Sequence, residues 1–277
     1  MATYIVAVSG GVDSIALLDM LARTKSYEII VAHFDHGIRG DSADDASFVE
    51  SLAAKYGMRY EKKREALGPD ASEETARNRR YAFLRRVAQK YNGRIVTAHH
   101  ADDIVETIAI NFRRGTGWRG LAVLDSDVLR PLIHVHKADL IAYAKQHNLT
   151  WREDSTNGSD TYLRNRVRRQ TQALDPTVKK ELLALRAQQV ASKKMIEEHI
   201  VQLVGEGPWY SRYFFIHIPS QVALECLRYI TKATLTRPQI ERSLLAIKTA
   251  RPKSSYQAGS GTTFDFTTRN FSLSLLK

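Results

Sequence analysis

Ser9, Gly10, Gly11, Val12, Asp13 and Ser14 put two hydroxyls, two glycines and a carboxylate within six consecutive residues. Glycine lets backbone N–H groups come close to a ligand, hydroxyls donate to anionic oxygens, and a carboxylate can hold a cation. Together they suit a phosphate group. A tight strand-to-helix turn would account for Gly10-Gly11 alone, but it would not call for Ser9, Asp13 and Ser14 around it. The stretch lacks the Lys-Ser/Thr pair of a Walker A loop and the G-x-G-x-x-G of a dinucleotide fold, so γ-phosphoryl transfer is not the first expectation.

A second set, His33, Asp35, His36, His99, His100, Asp102 and Asp103, consists of ligand types that could build a two-metal hydrolase site. Capping residues, core histidines and nucleotide contacts are the competing readings of the same residues. Asp103 and Glu106 lie three apart at an expected helix start, on one face near its positive end, where two carboxylates side by side call for a cation. Arg77 and Arg80 are one turn apart in a run of five arginines between 77 and 86 that contains no acid, and could reach one phosphate together.

These residues need a scaffold that gathers them. Strand-like runs at Tyr4–Val8, Glu28–Phe34 and Arg94–Ala98 alternate with helical periodicity at Asp13–Arg23, Ala43–Tyr56, Glu73–Tyr91 and Asp103–Phe112. That alternation predicts a parallel sheet with helices on both faces, and in such sheets ligands sit beyond the carboxyl ends of the strands. Ser9–Ser14, "HFDHGIRG" and "TAHHADDIVET" follow the three strands and should face one crevice. Beyond them come "RRGTGWRGL", "RPLI", a helix around Lys137–His147, and "WREDSTNGSDTYLRNRVRR", which has four arginines within residues 164–169. A long helical pattern from about 177 to 204 reads as a connector, ended by Gly205, Gly207 and Pro208. The domain boundary is therefore expected near 205, with 206–277 forming a small basic α+β domain.

Of the net charge of +11, +7 comes from residues 208–277, where ten Lys and Arg face three Asp and Glu. A polyanionic partner is expected, and nucleic acid is preferred because no basic helix with a strongly apolar face accompanies the charge. No basic leader or membrane-length apolar run is evident, so a cytoplasmic protein without membrane attachment is expected; a homodimer is left open. Cys226 is the single cysteine and sits in an apolar-periodic stretch, as a core thiol would. Alone it cannot supply the thiolates of an iron–sulfur cluster or a sulfur relay.

The loop "SGGVDS" after a first strand resembles that of the N-type ATP pyrophosphatases, the PP-loop proteins with the adenine nucleotide α-hydrolase-like fold. Within them, "HFDHGIRG", "EETARNRRY", "TAHHADDIVET", "RRGTGWRGL", "RPLI" and "WREDSTN" with "YLRNRVR" occur in the order of the tRNA(Ile)-lysidine synthetase family. The resemblance covers roughly residues 4–169 and extends less specifically into the tail; some members carry a further C-terminal domain, which is not expected within these 277 residues. It implies that ATP adenylates O2 of the wobble cytidine in an isoleucine tRNA with anticodon CAU. The ε-amino group of free L-lysine then attacks C2 and expels AMP. It further implies that Ser9, Gly10, Gly11, Val12, Asp13 and Ser14 bind ATP with His33, Phe34, Asp35 and His99, and that Asp13 holds Mg²⁺. Asp103, Glu106, Arg77 and Arg80 would bind lysine, with Asp13, Asp103, Glu106 and Arg80 catalytic. Arg114, Arg119, Arg164, Arg166 and Arg168 would contact tRNA. A tRNA-thiolating PP-loop enzyme, a metal-dependent phosphoesterase and a basic RNA-binding module with a vestigial nucleotide site are the rival readings.

Overall fold

The computed structural model describes residues 1–37, 42–68, 72–152, 163–205 and 207–275. Chain contacts divide them into two compact units, Met1–Val190 and Ala191–Lys277.

In the first unit, β1 (Ala2–Ala7), β2 (Tyr27–Asp35), β3 (Arg59–Arg64) and β4 (Arg94–Val96) form a parallel sheet in the order β3-β2-β1-β4. Leu129, next to the "RPLI" motif, extends the pairing by a parallel bridge to Val96. The helices are α1 (Val12–Thr24), α2 (Ser42–Lys55), α3 (Glu73–Lys90), α4 (Ala101–Arg113), α5 (Lys137–Gln146), α6 (Leu163–Gln172) and the start of α7 (Pro176–Val204). Alternate side chains of β1 go to opposite faces, as the pleat requires. Val6 and Val8 pack with Ile15, Leu18, Val49 and Leu140 of α1, α2 and α5, while Ile5 packs with Tyr81, Leu84 and Val87 of α3. Both faces are covered, which is why β1 reads as an unbroken apolar run. From β1 the chain steps to β2 and β3, then crosses back to place β4 on the other side of β1. That reversal opens a crevice between the ends of β1 and β4.

Strand β3, "RYEKKR", was not among the expected strands. It sits at the sheet edge and, among the described residues, pairs only with β2. Its charges are met there by ion pairs: Lys62 to Glu50, Lys63 to Glu65 and Arg64 to Asp35. Charged edge strands are a common way to block further pairing.

The second unit contains β5 (Trp209–Ser211), α8 (Arg212–His217), α9 (Ser220–Ile230), α10 (Arg237–Thr249), β6 (Ser255–Gly259), β7 (Thr262–Phe266) and β8 (Asn270–Leu275). Its sheet is antiparallel in the order β5-β8-β7-β6, over a core that includes Phe215, Phe264, Phe271 and Cys226. Arg212 is buried there and donates to the Ile247, Thr267 and Ala250 carbonyls, so this basic residue is a structural tie. The division between the units falls inside α7, upstream of the expected boundary near 205. Leu182 and Leu183 pack with Ile104, Ile108 and Val123, whereas Ile196, Ile200 and Val204 pack on the second core. Among the described residues, no helix is long and apolar enough to cross a membrane.

Candidate active site

The loop after β1 turns sharply at Gly10, whose φ of +97° favours glycine, and α1 starts at Val12 with Gly11 as its N-cap. Ser14 Oγ donates to the Gly11 carbonyl at 2.8 Å and accepts from the Ser9 backbone N–H at 3.2 Å; the two hydroxyl oxygens are 3.3 Å apart. The loop therefore holds its own shape and presents the positive end of α1 to the crevice. The backbone N–H of Arg152 donates to the Gly10 carbonyl, at 3.0 Å, and the Arg152 guanidinium bonds Asp45 at 2.6 Å.

Asp13 projects from the first turn of α1. Lys137, the first residue of α5, donates to both of its carboxylate oxygens, at 2.7 and 2.6 Å. His100, the N-cap of α4, lies between three carboxylates. Its Nε2 is 3.7 Å from Asp13 and 3.5 Å from Asp103, and its Nδ1 is 3.6 Å from Asp102. Burial opposes the charged form of His100, but the Asp102, Asp103 and Asp13 carboxylates outweigh it and raise its pKa. Asp102 also accepts from the Lys137 backbone N–H at 2.8 Å and lies 3.9 Å from Lys179.

Asp103 caps its own helix by accepting from the His100 backbone N–H at 2.9 Å, and its other oxygen is 3.8 Å from Arg164. One turn on, Glu106 is only 3% exposed. Arg168 Nε donates to it at 2.7 Å and Arg164 Nε at 3.3 Å. Arg164 also reaches Glu73 at 3.2 Å. The two arginines are four residues apart on α6 and so share the face that meets α4. Arg164 and Arg168, expected as tRNA contacts, pair with these carboxylates in this structure, while Arg166 is exposed.

Arg77 and Arg80 both lie over the Tyr81 ring, at 5.0 and 5.6 Å, and neither makes an ion pair among the described residues. Burial, then the neighbouring Arg77 and Arg164 charges, lowers the pKa of Arg80, with Tyr81 and Glu73 opposing. His99 bonds Thr97 Oγ1 at 2.8 Å. Its pKa is pushed down to about 3, chiefly by burial and further by Arg80, Arg130 and Arg77. His33 Nδ1 donates to the Val8 carbonyl at 2.8 Å, and its buried Nε2 has no partner among the described residues. Phe34 packs edge-on to His36 and near Phe83, and Asp35 accepts from Gly37 N–H at 2.7 Å.

Of the second set, His100, Asp102 and Asp103 come together while His33, Asp35, His36 and His99 have other neighbours, and no group of three metal-ligating side chains is assembled among the described residues. Arg114 and Arg119 stand apart from the crevice set at the end of α4 and in a 3₁₀ turn; Arg114 is exposed and Arg119 stacks on Trp118 at 4.8 Å. Residues 38–41 and 153–162, which include parts of two sequence motifs, lie outside the described residues.

Lys137 was not found by sequence reasoning. One signal was present: a lysine on the first turn of a helix opposes the macrodipole and is favourable only where it meets an anion.

The PP-loop domain family matches residues 2–174. The chain is similar to proteins named tRNA(Ile)-lysidine synthase. One from Solibacter usitatus is 37% identical over 59% of this chain, and one from Bacillus cereus is 40% identical over 60%. The chain spans 38% and 39% of the length of those two relatives. A third, from Thermotoga maritima, is 30% identical over 89% of this chain and 65% of its own length. Among solved structures, the U34-tRNA thiolase NcsA from Methanococcus maripaludis superposes with a TM-score of 0.57 at 19% identity, covering 69% of this chain and 72% of that one, a likeness of fold.

Proposed function

The chain belongs to the PP-loop domain family, and from that premise we propose that it uses ATP to join free lysine to C2 of the wobble cytidine of an isoleucine tRNA with anticodon CAU, in the cytoplasm. One observation carries the reading. His100 stands within 4 Å of both Asp13 at the phosphate loop and Asp103 on α4, so a nucleotide site and an acidic amine-binding site share one crevice.

The order of steps follows from the chemistry. A pyrimidine carbonyl oxygen is a poor leaving group until it carries AMP, so O2 must first attack the α phosphorus and release pyrophosphate. Lysine nitrogen then forms the bond to C2 as the C2–O bond breaks and AMP departs. The Ser9–Ser14 loop and the start of α1 orient the polyphosphate by backbone N–H groups and hydroxyls. The Nε2 of His33, without a partner among the described residues and beside Phe34, is offered to the base of the nucleotide. Arg77 and Arg80, without carboxylate partners among the described residues, are available to substrate anions.

Free lysine is a zwitterion, and the face between α4 and α6 carries both signs: Asp103 and Glu106 for the ammonium, Arg164 and Arg168 for the carboxylate. Lysine nitrogen must lose a proton before it attacks, since its ordinary pKa is about 10.4; Asp103 or a water beside it can take that proton. Asp13 suits Mg²⁺, which takes one or two carboxylates along with phosphate oxygens and water. When bound there, the ion supplies charge neutralisation for the polyphosphate, in competition with the Lys137 ammonium. A sulfur-transfer reading lacks its nucleophile: Cys226 is buried in the second core, and burial pushes its thiol up to about 11.

The test is AMP formation from labelled ATP. The expected result is turnover only when tRNA and lysine are both present. AMP release that ignores lysine but responds to a sulfur donor would contradict the proposal.

A further inference from the structure

Asp13 is expected to hold a cation, and one is already on it: the Lys137 ammonium, bonded to both carboxylate oxygens. We propose that Lys137 is a polyphosphate-binding residue that rests on Asp13 until nucleotide enters, then carries its charge to the β and γ phosphates and to the pyrophosphate they become. This rests on the ATP-cleaving reading of the same crevice.

The placement supports it. Lys137 opens α5, and its backbone N–H is fixed by Asp102 at 2.8 Å, so its side chain starts from an anchored point at the crevice rim. A cation on the first turn of a helix is disfavoured by the dipole, and no packing of α5 requires one; Leu140 and Ala144 supply the buried contacts. The ion pair is open to solvent, with the Lys137 and Asp13 side chains 38% and 26% exposed. Pairs of that kind add little to stability, so changing partners is inexpensive.

Lysine suits such an exchange, being a compact charge with three donors on a flexible four-carbon stem. Were Asp13 to hold a cation, the Lys137 ammonium would be free to turn to the anionic groups of a nucleotide held at the Ser9–Ser14 loop. Cleavage between the α and β phosphates builds negative charge on the departing β phosphate, and a mobile ammonium there stabilises it as it forms. Asp13 thus has a second role, keeping Lys137 extended into the crevice before substrate arrives.

The experiment measures binding of inorganic pyrophosphate and, separately, of AMP to the intact chain at fixed Mg²⁺, for wild type, Lys137→Met and Lys137→Arg. Expected is a loss of at least about tenfold in pyrophosphate affinity for Lys137→Met, as for removal of a charge-assisted bond. AMP affinity should be unchanged, Lys137→Arg should recover most of the pyrophosphate affinity, and ligand-free melting should move little. Unchanged pyrophosphate affinity in Lys137→Met, or an equal fall for AMP, would make Lys137 a mere counter-ion and overturn the inference. Wild-type protein that binds neither ligand would overturn the ATP-cleaving reading itself, and this inference with it.

Discussion

His99 and His100 are neighbours in the chain, yet their surroundings push their protons in opposite directions. Burial and three arginines keep His99 unprotonated, with its pKa down to about 3, while three carboxylates raise that of His100 above the ordinary 6.5 despite its burial. Each shift is also a statement about stability. Below pH 6.5 the unfolded chain takes up a proton at His99 that the folded chain refuses, so the His99 contribution falls as the pH drops from 6.5 toward about 3. For His100 the folded chain holds the proton more tightly, so its contribution is full below 6.5 and is lost as pH rises through the raised pKa. Urea unfolding of His100→Asn should therefore show a deficit against wild type that widens as the pH is lowered from 8.5 to 6.5. His99→Asn should gain on wild type as the pH falls below 6.5. A His100→Asn deficit that stays constant across that range would mean that His100 is not the proton-holding link between Asp13 and Asp103.

The helices divide the chemistry between them. In the proposed reaction the turn into α1 would present Asp13 to the phosphates, whereas α4 would present Asp103 to the amine. Asp103→Asn is expected to retain tRNA-dependent adenylation, trapped from labelled ATP without lysine, and to lose lysine transfer by about 10²-fold or more. Asp13→Asn should lose both steps. Equal loss of adenylation in the two variants would place Asp103 in the nucleotide site. Glu106→Gln is a poorer probe, because it also removes the anchor of Arg164 and Arg168 on α6. That anchoring was not legible in the sequence. The 3.6-residue period revealed α1, α3 and α4, and an apolar run revealed β1, because in those elements local pattern and tertiary burial agree. Strand β3 escaped because its charges are satisfied by partners across an edge, which no local pattern reports. The Lys137–Asp13 contact spans 124 residues and is fixed only by how α5 packs on α1.

At the scale of the whole molecule, the first unit carries every crevice residue described above, and residues 208–277 of the second carry +7 of the net +11. Ten of the 41 Lys and Arg lie in residues 208–277 with three acids. Arg212 is spent on backbone carbonyls of its own core, while Arg242, Lys248, Arg251 and Lys253 are exposed. Exposed cations of this kind suit phosphate contacts that position an RNA without reading its bases. Chemistry in one unit and RNA affinity in the other would make a ligase whose hold on its substrate depends on both units. The most direct measurement uses that chain with ATP, Mg²⁺, labelled lysine and total tRNA, followed by separation of the tRNA species. Label is expected in an isoleucine tRNA with a CAU anticodon, at the wobble cytidine, released as one modified nucleoside on digestion. Label that is absent from tRNA, or lost on mild alkaline hydrolysis as an aminoacyl ester would be, would contradict it.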